Sequence, residues 1–239
     1  MNKEKLVSEL TKLGIKLSDK QEKQIEEFCF ILLEENQKHN LTAIRELEEV
    51  LLKHIYDSLT LIRVQDLNQE KKLLDIGSGA GFPGIILKIV FPKLKITLLD
   101  SNGKKTRFLE LVKNKLNLES LIIINKRAEE YIENTRENYD FVTARAVASL
   151  NVLIELAIPF LKVDGLFIAM KSDIKEEIKL AKETCSLLNC NIEKIEELIL
   201  PIEKSKRTLI VIKKTSITPN KYPRRYDQII KKPLKSTRK

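Results

Sequence analysis

The sequence predicts an α/β fold in which a parallel sheet is covered by helices on both faces and is preceded by a small helical region. From residue 71 onwards, short apolar runs alternate with stretches of helical periodicity, a pattern typical of such a sheet. Residues 1–66 keep helical periodicity and contain no strand pattern. The chain has seven glycines, and four of them follow the first predicted strand within eight residues, at Gly77, Gly79, Gly81 and Gly84.

The helical region contains two apolar stripes. Ser18 and Gln21 have the spacing of a capping box, which predicts a helix start. The stripe that follows has the spacing of one buried helix face, with members Ile25, Phe28, Cys29, Leu32 and Leu33. A second stripe runs from residue 47 to residue 62 and is interrupted by His54 and Ser58. We therefore predict a small N-terminal helical region over residues 1–66.

The remaining elements follow in alternation. Strands are predicted at residues 72–76, 95–99, 121–125, 139–143, 165–170, 191–200 and 207–213. Helices are predicted at residues 84–90, 104–116, 128–134, 151–161 and 173–188. Residues 67–214 thus form the sheet domain. Residues 215–239 contain three prolines among basic residues and no apolar period, which predicts an extended basic tail.

The basic charge of the chain is concentrated at its C-terminal end. Residues 213–239 contain ten of the 43 Lys and Arg and one of the 34 Asp and Glu, so they carry the whole net charge of +9. Such a segment is typical of a surface that contacts nucleic-acid phosphates. The alternative is a solubilising terminus without a partner.

Several classes of protein are excluded by composition. No stretch approaches 18 apolar residues, so we expect no membrane span, and the first residues lack a hydrophobic signal core. The three cysteines have no metal-ligand spacing, which indicates reduced thiols in a cytoplasmic protein without disulfides or a zinc site. No apolar stripe is left over to demand a partner subunit, so we expect a monomer.

The glycine cluster points to a cofactor. Glycines between a strand and a helix allow a sharp turn and the close approach of a ligand. The next strand ends in Asp100, where an acid can accept hydrogen bonds from ribose hydroxyls. Together these features predict a nucleoside-containing cofactor. A tight turn without a ligand remains the alternative.

The identity of the cofactor depends on Asp75. Residues 79–84 match the G-x-G-x-x-G pattern of dinucleotide-binding proteins, but the strand ends at Ile76 and the match is therefore out of phase. The carboxylate of Asp75 beside the loop would repel a pyrophosphate by about 1 kcal/mol or more. It would suit a cofactor with positive charge, which favours S-adenosylmethionine over a nicotinamide.

Longer motifs resemble the bacterial GidB/RsmG family over essentially the whole chain. They are DIGSGAGFPGIILKIVFP, LLDSNGKKTRFL, KRAEEY, YDFVTARAVASL and AIPFLKVDGLFIAMKS, with HNLTAIRE and HIYDSL in the helical region. The resemblance implies a Rossmann-like class I methyltransferase that depends on S-adenosylmethionine. It also implies RNA binding and rRNA processing: transfer of a methyl group to N7 of a guanosine in 16S ribosomal RNA, giving 7-methylguanosine, with the small ribosomal subunit as partner.

The resemblance also implies roles for individual residues. It assigns Gly77 and Phe82 to the methionine and sulfonium end of the cofactor, with Gly79 shaping the loop, and Asp100 to the ribose. Ala128 and Glu129 would frame the adenine, and Arg145 would be the arginine of the cofactor site. In the tail the chain departs from the family, because the residues after Arg225 lack the family's glycine and proline.

Substrate contacts are expected from four residues, namely Asn40, His54, Arg224 and Arg225. For His54 the alternatives are a buried, hydrogen-bonded histidine or a residue that faces the substrate cleft. For Asn40 they are a helix-terminating turn or a cleft-lining role. The two arginines belong to the basic tail.

The chemistry needs no general base, because guanine N7 already offers an in-plane lone pair. The chain contains only two histidines, His39 and His54, and both precede the sheet domain. Alignment of the two reactants supplies most of the rate enhancement in such a transfer. Two other functions remain open: a catalytically silent RNA-binding or ribosome-assembly factor, and a nicotinamide oxidoreductase.

Overall fold

A computed structural model describes residues 1–145, 148–172, 174 and 177–234 of the chain. The start of the helix predicted at 173–188 lies outside the described residues, as does part of the motif at 139–150. The same holds for residues 235–239 of the predicted tail.

The helical region begins with two helices, α1 (Lys3–Lys12) and α2 (Asp19–His39). The predicted capping box is confirmed, because the side chains and backbone amides of Ser18 and Gln21 bond each other reciprocally at the start of α2. The helix ends at Asn40, whose φ of 49° and ψ of 53° place it in the left-handed region. Asn tolerates this conformation better than most residues, which explains the stop.

The second helical stretch is not one regular helix. It consists of α3 (Leu47–Val50), a π-helical turn (Leu51–Tyr56), α4 (Asp57–Leu59) and a 3₁₀ turn (Thr60–Arg63). The π-helical turn carries His54, and such wide turns are frequent at functional sites. The predicted stripe is therefore helical throughout, but its winding changes three times.

The described residues form a seven-stranded sheet. Its strands are β1 (Lys72–Ile76), β2 (Lys95–Leu99), β3 (Leu121–Ile124), β4 (Tyr139–Arg145), β5 (Leu161–Lys171), β6 (Cys190–Ile199) and β7 (Lys206–Lys214). The order is β3-β2-β1-β4-β5-β7-β6. The first five strands pair in parallel as predicted, whereas β7 is antiparallel to both β5 and β6. The expectation of a wholly parallel sheet is wrong at this edge, because β6 and β7 form a hairpin.

Helices connect the parallel strands. They are α5 (Gly84–Val90), α6 (Gly103–Lys115), α7 (Ala128–Tyr131), α8 (Leu150–Ala157) and α9 (Glu177–Leu188). The predicted helices at 128–134 and 151–161 continue beyond α7 and α8 as single 3₁₀ turns. Each predicted helix thus has a counterpart; α5 has the predicted bounds, and the described bounds of the others differ by one or a few residues.

Two hydrophobic clusters cover the two faces of the sheet. Leu73 belongs to the cluster that includes α2, α5 and α6, whereas the next residue, Leu74, belongs to the cluster that includes α8 and α9. This alternation follows from the period of two along a strand. Residues of α1 and α2 share the first cluster with the sheet, so the helical region has no separate core.

The C-terminal segment, defined as residues 215–234, packs against the body of the molecule. It contains a short helix, α10 (Tyr226–Lys231). Tyr222 is 6% exposed and Ile229 is fully buried in the second cluster. The prediction of an extended tail is therefore wrong for this segment, because two apolar side chains anchor it.

Within the described ranges, no helix is both long enough and apolar enough to span a membrane. The three cysteines are buried and free, and no group of three or more potential metal ligands is found among the described residues.

Candidate active site

A cavity of about 470 Å³ opens at the carboxyl ends of the parallel strands. Ligands of open α/β sheets bind at this edge, and the volume lies in the usual range for small-molecule sites. All seven residues expected to bind the cofactor line the cavity, namely Gly77, Gly79, Phe82, Asp100, Ala128, Glu129 and Arg145.

The glycines after β1 serve two structural purposes: some border the open cavity, and one allows close packing of α5 on the sheet. Gly77 and Gly79 have φ values of 70° and 58°, which L-residues rarely adopt. A Cβ placed on Gly79 would meet no atom closer than 3.8 Å, so the backbone there borders open space in the cavity. Gly84 instead packs closely, since a Cβ there would lie 2.2 Å from Leu98 Cδ2.

Asp100 stands at the end of β2 with its carboxylate held by the backbone. Its Oδ2 accepts a hydrogen bond from the amide of Gly79 at 2.8 Å, and its Oδ1 accepts one from the amide of Asn102 at 2.8 Å. A carboxylate oxygen has two lone pairs, so each oxygen can accept a further hydrogen bond. Asp100 therefore links the glycine loop to α6 and can still receive two hydroxyl donors from the cavity.

Arg145, at the end of β4, organises the other side of the cavity. Its Nη1 donates to the carbonyl of Lys53 at 3.0 Å and to Asp57 Oδ2 at 3.1 Å. Its guanidinium lies 5.1 Å from the centre of the Phe82 ring, which is a cation–π distance. Asp57 is 3% exposed, and its Oδ1 lies 3.2 Å from Arg207 Nε in a second ion pair. Burial of Asp57 is thus compensated by two arginines.

His54 is fixed between Arg145, Phe82 and Thr42. Arg145 Nη2 lies 3.0 Å from His54 Nδ1, and the carbonyl oxygen of Lys53 lies 3.1 Å from the same nitrogen. His54 Nε2 lies 2.9 Å from Thr42 Oγ1. The imidazole stacks on Phe82 with 4.2 Å between ring centres. Burial, together with the charge of Arg145, lowers the pKa of His54 to about 3. His54 is consequently a neutral side chain that lines the cavity and is held in place by its neighbours.

Asp75 is not where the sequence argument requires it. It is fully buried and does not line the cavity. Its Oδ2 accepts a hydrogen bond from the amide of Gly84 at 3.0 Å, and its Oδ1 has no hydrogen-bond partner among the described residues. Burial raises the pKa of this carboxyl to about 7. The direct repulsion of a pyrophosphate by Asp75 was thus a wrong reason for preferring S-adenosylmethionine.

The far end of the cavity follows β3. Ala128 and Glu129 open α7, and burial raises the pKa of the Glu129 carboxyl. Arg127 and Tyr226 border the same space, with the guanidinium of Arg127 4.9 Å from the centre of the Tyr226 ring. The C-terminal segment therefore contributes directly to the cavity.

Of the four residues expected to contact the substrate, only one lines the cavity. His54 lines the cavity, whereas Asn40, Arg224 and Arg225 do not. Asn40 ends α2, and the cavity is lined instead by the next two residues, Leu41 and Thr42. Arg224 Nη2 pairs with Glu155 Oε2 at 2.7 Å, and Arg225 is exposed and pairs with Asp227 at 3.4 Å. Asn40, Arg224 and Arg225 thus lie outside the cavity, and their contact with the substrate stays a prediction.

Sequence reasoning also missed lining residues. Tyr226 is the clearest case, because only packing of the C-terminal segment brings it to the cavity. Lys105 is a second case, since it borders the cavity from α6. Asn102 could have been found, since an Asn directly before a helix is a common N-cap, and here it precedes α6 and its side chain accepts from the amide of Lys104 at 2.9 Å.

Comparison with solved structures defines the class. A methyltransferase described as S-adenosylmethionine-dependent and O-specific, from Thermotoga maritima, superposes with a TM-score of 0.53 at 16% identity, covering 77% of this chain and 71% of that one. TrmN from Thermus thermophilus gives 0.53 at 14% identity, covering 66% and 48%. These similarities show the fold of the class I methyltransferases.

Sequence comparison gives the particular family. The family described as rRNA small subunit methyltransferase G, GidB, matches residues 21–209. Proteins named ribosomal RNA small subunit methyltransferase G are 47% identical in Oceanobacillus iheyensis, covering 98% of this chain and all of that one, and 44% identical in Bacillus subtilis, covering 98% and 99%. The chain belongs to this family and is a methyltransferase.

The residues of the cavity fit the cofactor of this class, S-adenosylmethionine. The open backbone at Gly79 gives room for close approach, and the remaining lone pairs of Asp100 suit a ribose diol. The cofactor prediction is therefore confirmed by fold and family, whereas the expected repulsion of a pyrophosphate by Asp75 is not confirmed.

Proposed function

We propose that this protein transfers a methyl group from S-adenosylmethionine to N7 of a guanosine in the 16S RNA of the small ribosomal subunit. Membership of the rRNA small subunit methyltransferase G family supports ribosomal RNA of the small subunit as the substrate. The observation that carries the choice of N7 is the state of His54, a neutral imidazole tied to Arg145 and Thr42 in the wall of the cavity. A ring nitrogen with a free lone pair needs no proton removed, and this site offers no free histidine to remove one.

The cofactor supplies an electrophilic methyl group on a sulfonium. The chain supplies position: the glycine loop and Phe82 hold one end of the cavity, Asp100 holds the ribose, and Ala128 and Glu129 frame the base. Arg145 fixes Phe82 and His54 through the contacts described above. Alignment of two bound reactants is worth about 7–11 kcal/mol of barrier.

The division of the chain follows from the same proposal. Residues 1–66 supply Leu41, Thr42 and His54 to the cavity, residues 67–214 hold the cofactor, and residues 215–239 add basic charge toward RNA. The enzyme acts as a monomer in the cytoplasm, where a bacterial small subunit is assembled. Substrate contacts of His54 belong to this proposal.

The first test is calorimetry with S-adenosylmethionine and with NAD. The wild type should bind S-adenosylmethionine and not NAD, and Asp100→Ala should weaken binding by tenfold or more, because two charge-assisted hydrogen bonds are lost. Glu27→Ala, at an exposed site on α2, is the surface control. Binding of NAD alone would favour an oxidoreductase.

The second test identifies the acceptor. Naked rRNA, 30S particles and 70S ribosomes are incubated with labelled S-adenosylmethionine, and the modified base is mapped. Label at guanine N7 of 16S RNA is expected. Cofactor binding without methylation of any RNA would favour a silent assembly factor, label on an exocyclic or carbon atom would contradict N7, and label confined to tRNA would contradict the substrate class.

A further inference from the structure

The C-terminal segment is fixed to the body by a buried ion pair. Glu155 of α8 is fully buried, and its Oε1 accepts hydrogen bonds from the amide and Nε of Arg224 at 3.0 and 2.8 Å, while Nη2 donates to Oε2 at 2.7 Å. Arg136 also donates to the carbonyl of Tyr222, and Thr184 to that of Leu234. A bidentate arginine–carboxylate contact fixes orientation as well as distance, so the position of the next residues is well defined.

This attachment places Tyr226 beside the cavity. Tyr226 is the first residue of α10, its ring is half-buried, and it packs on the same hydrophobic cluster that contains Ala128 and Leu156. All three residues line the cavity. The guanidinium of Arg127 lies over the Tyr226 ring at 4.9 Å, and the fully buried Ile229, three residues further along α10, packs in the same hydrophobic cluster.

The order of the strands indicates which part of the cofactor this end receives. The sheet runs β3-β2-β1, with the glycine loop after β1, Asp100 after β2 and Ala128 after β3. If Asp100 holds the ribose, the two parts of the cofactor on either side of the ribose lie toward β1 and toward β3. The β3 end combines an aromatic ring with Ala128 and Leu156, surroundings that suit a planar purine better than a charged amino-acid group.

We infer that Tyr226 is a cofactor-binding residue that packs against the adenine of S-adenosylmethionine. The inference rests on the proposed function, since it requires that cofactor in this cavity. It gives the C-terminal segment a role in holding the cofactor that is separate from any contact of its basic residues with RNA.

Calorimetric titration with S-adenosylmethionine tests the inference directly. Tyr226→Ala should raise the Kd by about tenfold, because stacking of an aromatic side chain on a base contributes substantially to binding. Tyr226→Phe, which keeps the ring, should remain within about twofold of the wild type. Ile230→Ala is the matched control, because Ile230 lies in the same helix, is exposed and does not line the cavity.

A second ligand locates the effect on the cofactor. 5′-Methylthioadenosine carries the nucleoside without the amino-acid group, so Tyr226→Ala should weaken its binding by the same factor. Thermal melts followed by circular dichroism check that each variant is folded. If Tyr226→Ala unfolds α10, Tyr226→Leu is the second variant, because leucine keeps apolar bulk without the aromatic ring. It should still bind S-adenosylmethionine more weakly than Tyr226→Phe does.

Four outcomes would overturn the inference. These are a wild-type Kd in both Tyr226→Ala and Tyr226→Leu, an equal loss in Tyr226→Phe, an unchanged affinity for methylthioadenosine, and a loss confined to rRNA binding. In each of them the wild type still binds S-adenosylmethionine, so the proposed function stands. A wild type that does not bind S-adenosylmethionine would contradict both.

Discussion

At the scale of single residues, His54 owes its properties to neighbours that are distant in sequence. Arg145 is 91 positions away, yet its Nη2 lies 3.0 Å from the imidazole Nδ1. Phe82 covers one ring face, and the resulting burial keeps the imidazole neutral. Such a residue can shape a cavity, but it does not take up a proton at neutral pH.

The lowered pKa of His54 predicts a pH dependence of stability. The unfolded histidine protonates near pH 6.5 and the folded one only near pH 3, so the unfolded state binds more protons between these values and stability falls as the pH falls through this window. The slope reaches about 1.4 kcal/mol per pH unit, or about 2 kcal/mol between pH 6.5 and 5.

The variant that tests this is His54→Asn, which keeps an acceptor for Arg145 but does not titrate. Free energies of unfolding from urea titrations at pH 7.5, 6.0 and 5.0 should fall less steeply for the variant than for the wild type. Carboxylates contribute equally to both proteins, so the difference between the two curves reports His54. Parallel curves would contradict the prediction.

Asp75 shows where residue-level prediction from sequence stops. Its type and its place at the end of a strand were visible in the sequence, but the face toward which its side chain points depends on sheet pairing. The alternation of the strand turns Asp75 beneath α5, where the amide of Gly84 binds it. By contrast, Asp100 could be placed correctly from the sequence, because the end of a parallel strand is a cavity edge by topology.

At the scale of elements, hydrophobic periodicity predicted the positions of most strands and helices well. It did not predict the direction in which a strand runs in the sheet. The bounds of β1, β2 and α5 agree with the prediction residue for residue. The direction of β7 was missed, because an apolar run has the same period in a parallel and an antiparallel strand. The helix α10 was missed too, since a six-residue helix with one buried side chain leaves almost no periodic signal.

The contact between α5 and the sheet predicts the effect of one substitution. In Gly84→Ala the new Cβ would lie 2.2 Å from Leu98 Cδ2 and 2.8 Å from Asp75 Oδ2, so the helix must move away from β1 and β2. We expect a loss of about 1–3 kcal/mol in the free energy of unfolding, as for other overpacked sites. Urea titration measures it.

The matched control for that substitution is Gly103→Ala. This glycine also begins a helix, but its added Cβ would meet no atom closer than 3.4 Å. Its stability should be unchanged or slightly raised, by up to about 1 kcal/mol, because alanine restricts the unfolded chain. Equal losses in the two variants would show that close packing at Gly84 is not the cause.

At the scale of the whole molecule, the fold changes the meaning of the basic C-terminal end. The sequence assigns the net charge of +9 to residues 213–239, but much of that charge is paired with acids. Lys213 pairs with Asp164 at 3.0 Å and Lys214 with Glu137 at 2.8 Å, while Arg224 and Arg225 pair as described above. The number of basic residues that can contact phosphates is therefore smaller than the ten that residues 213–239 contain.

The basic residues best placed for RNA are those on and after α10, the helix that begins at the cavity. Lys231 and Lys232 are both exposed there. If both contact phosphates, each contributes about 0.7–0.9 to the slope of log affinity against log salt. The double variant Lys231→Ala/Lys232→Ala should therefore bind small-subunit rRNA with a slope shallower by about 1.4–1.8, as measured by filter binding over a series of KCl concentrations.

The control for this prediction removes the same amount of charge at two positions that do not line the cavity. Lys95 opens β2 and pairs with Glu70 at 2.7 Å, and Lys213 lies beside the middle of β5 near its paired Asp164. The double variant Lys95→Ala/Lys213→Ala should keep the wild-type slope, because these lysines are already neutralised and lie away from the cavity. An equal decrease in both double variants would mean that the RNA responds to net charge alone, and that the C-terminal segment does not direct it to the active site.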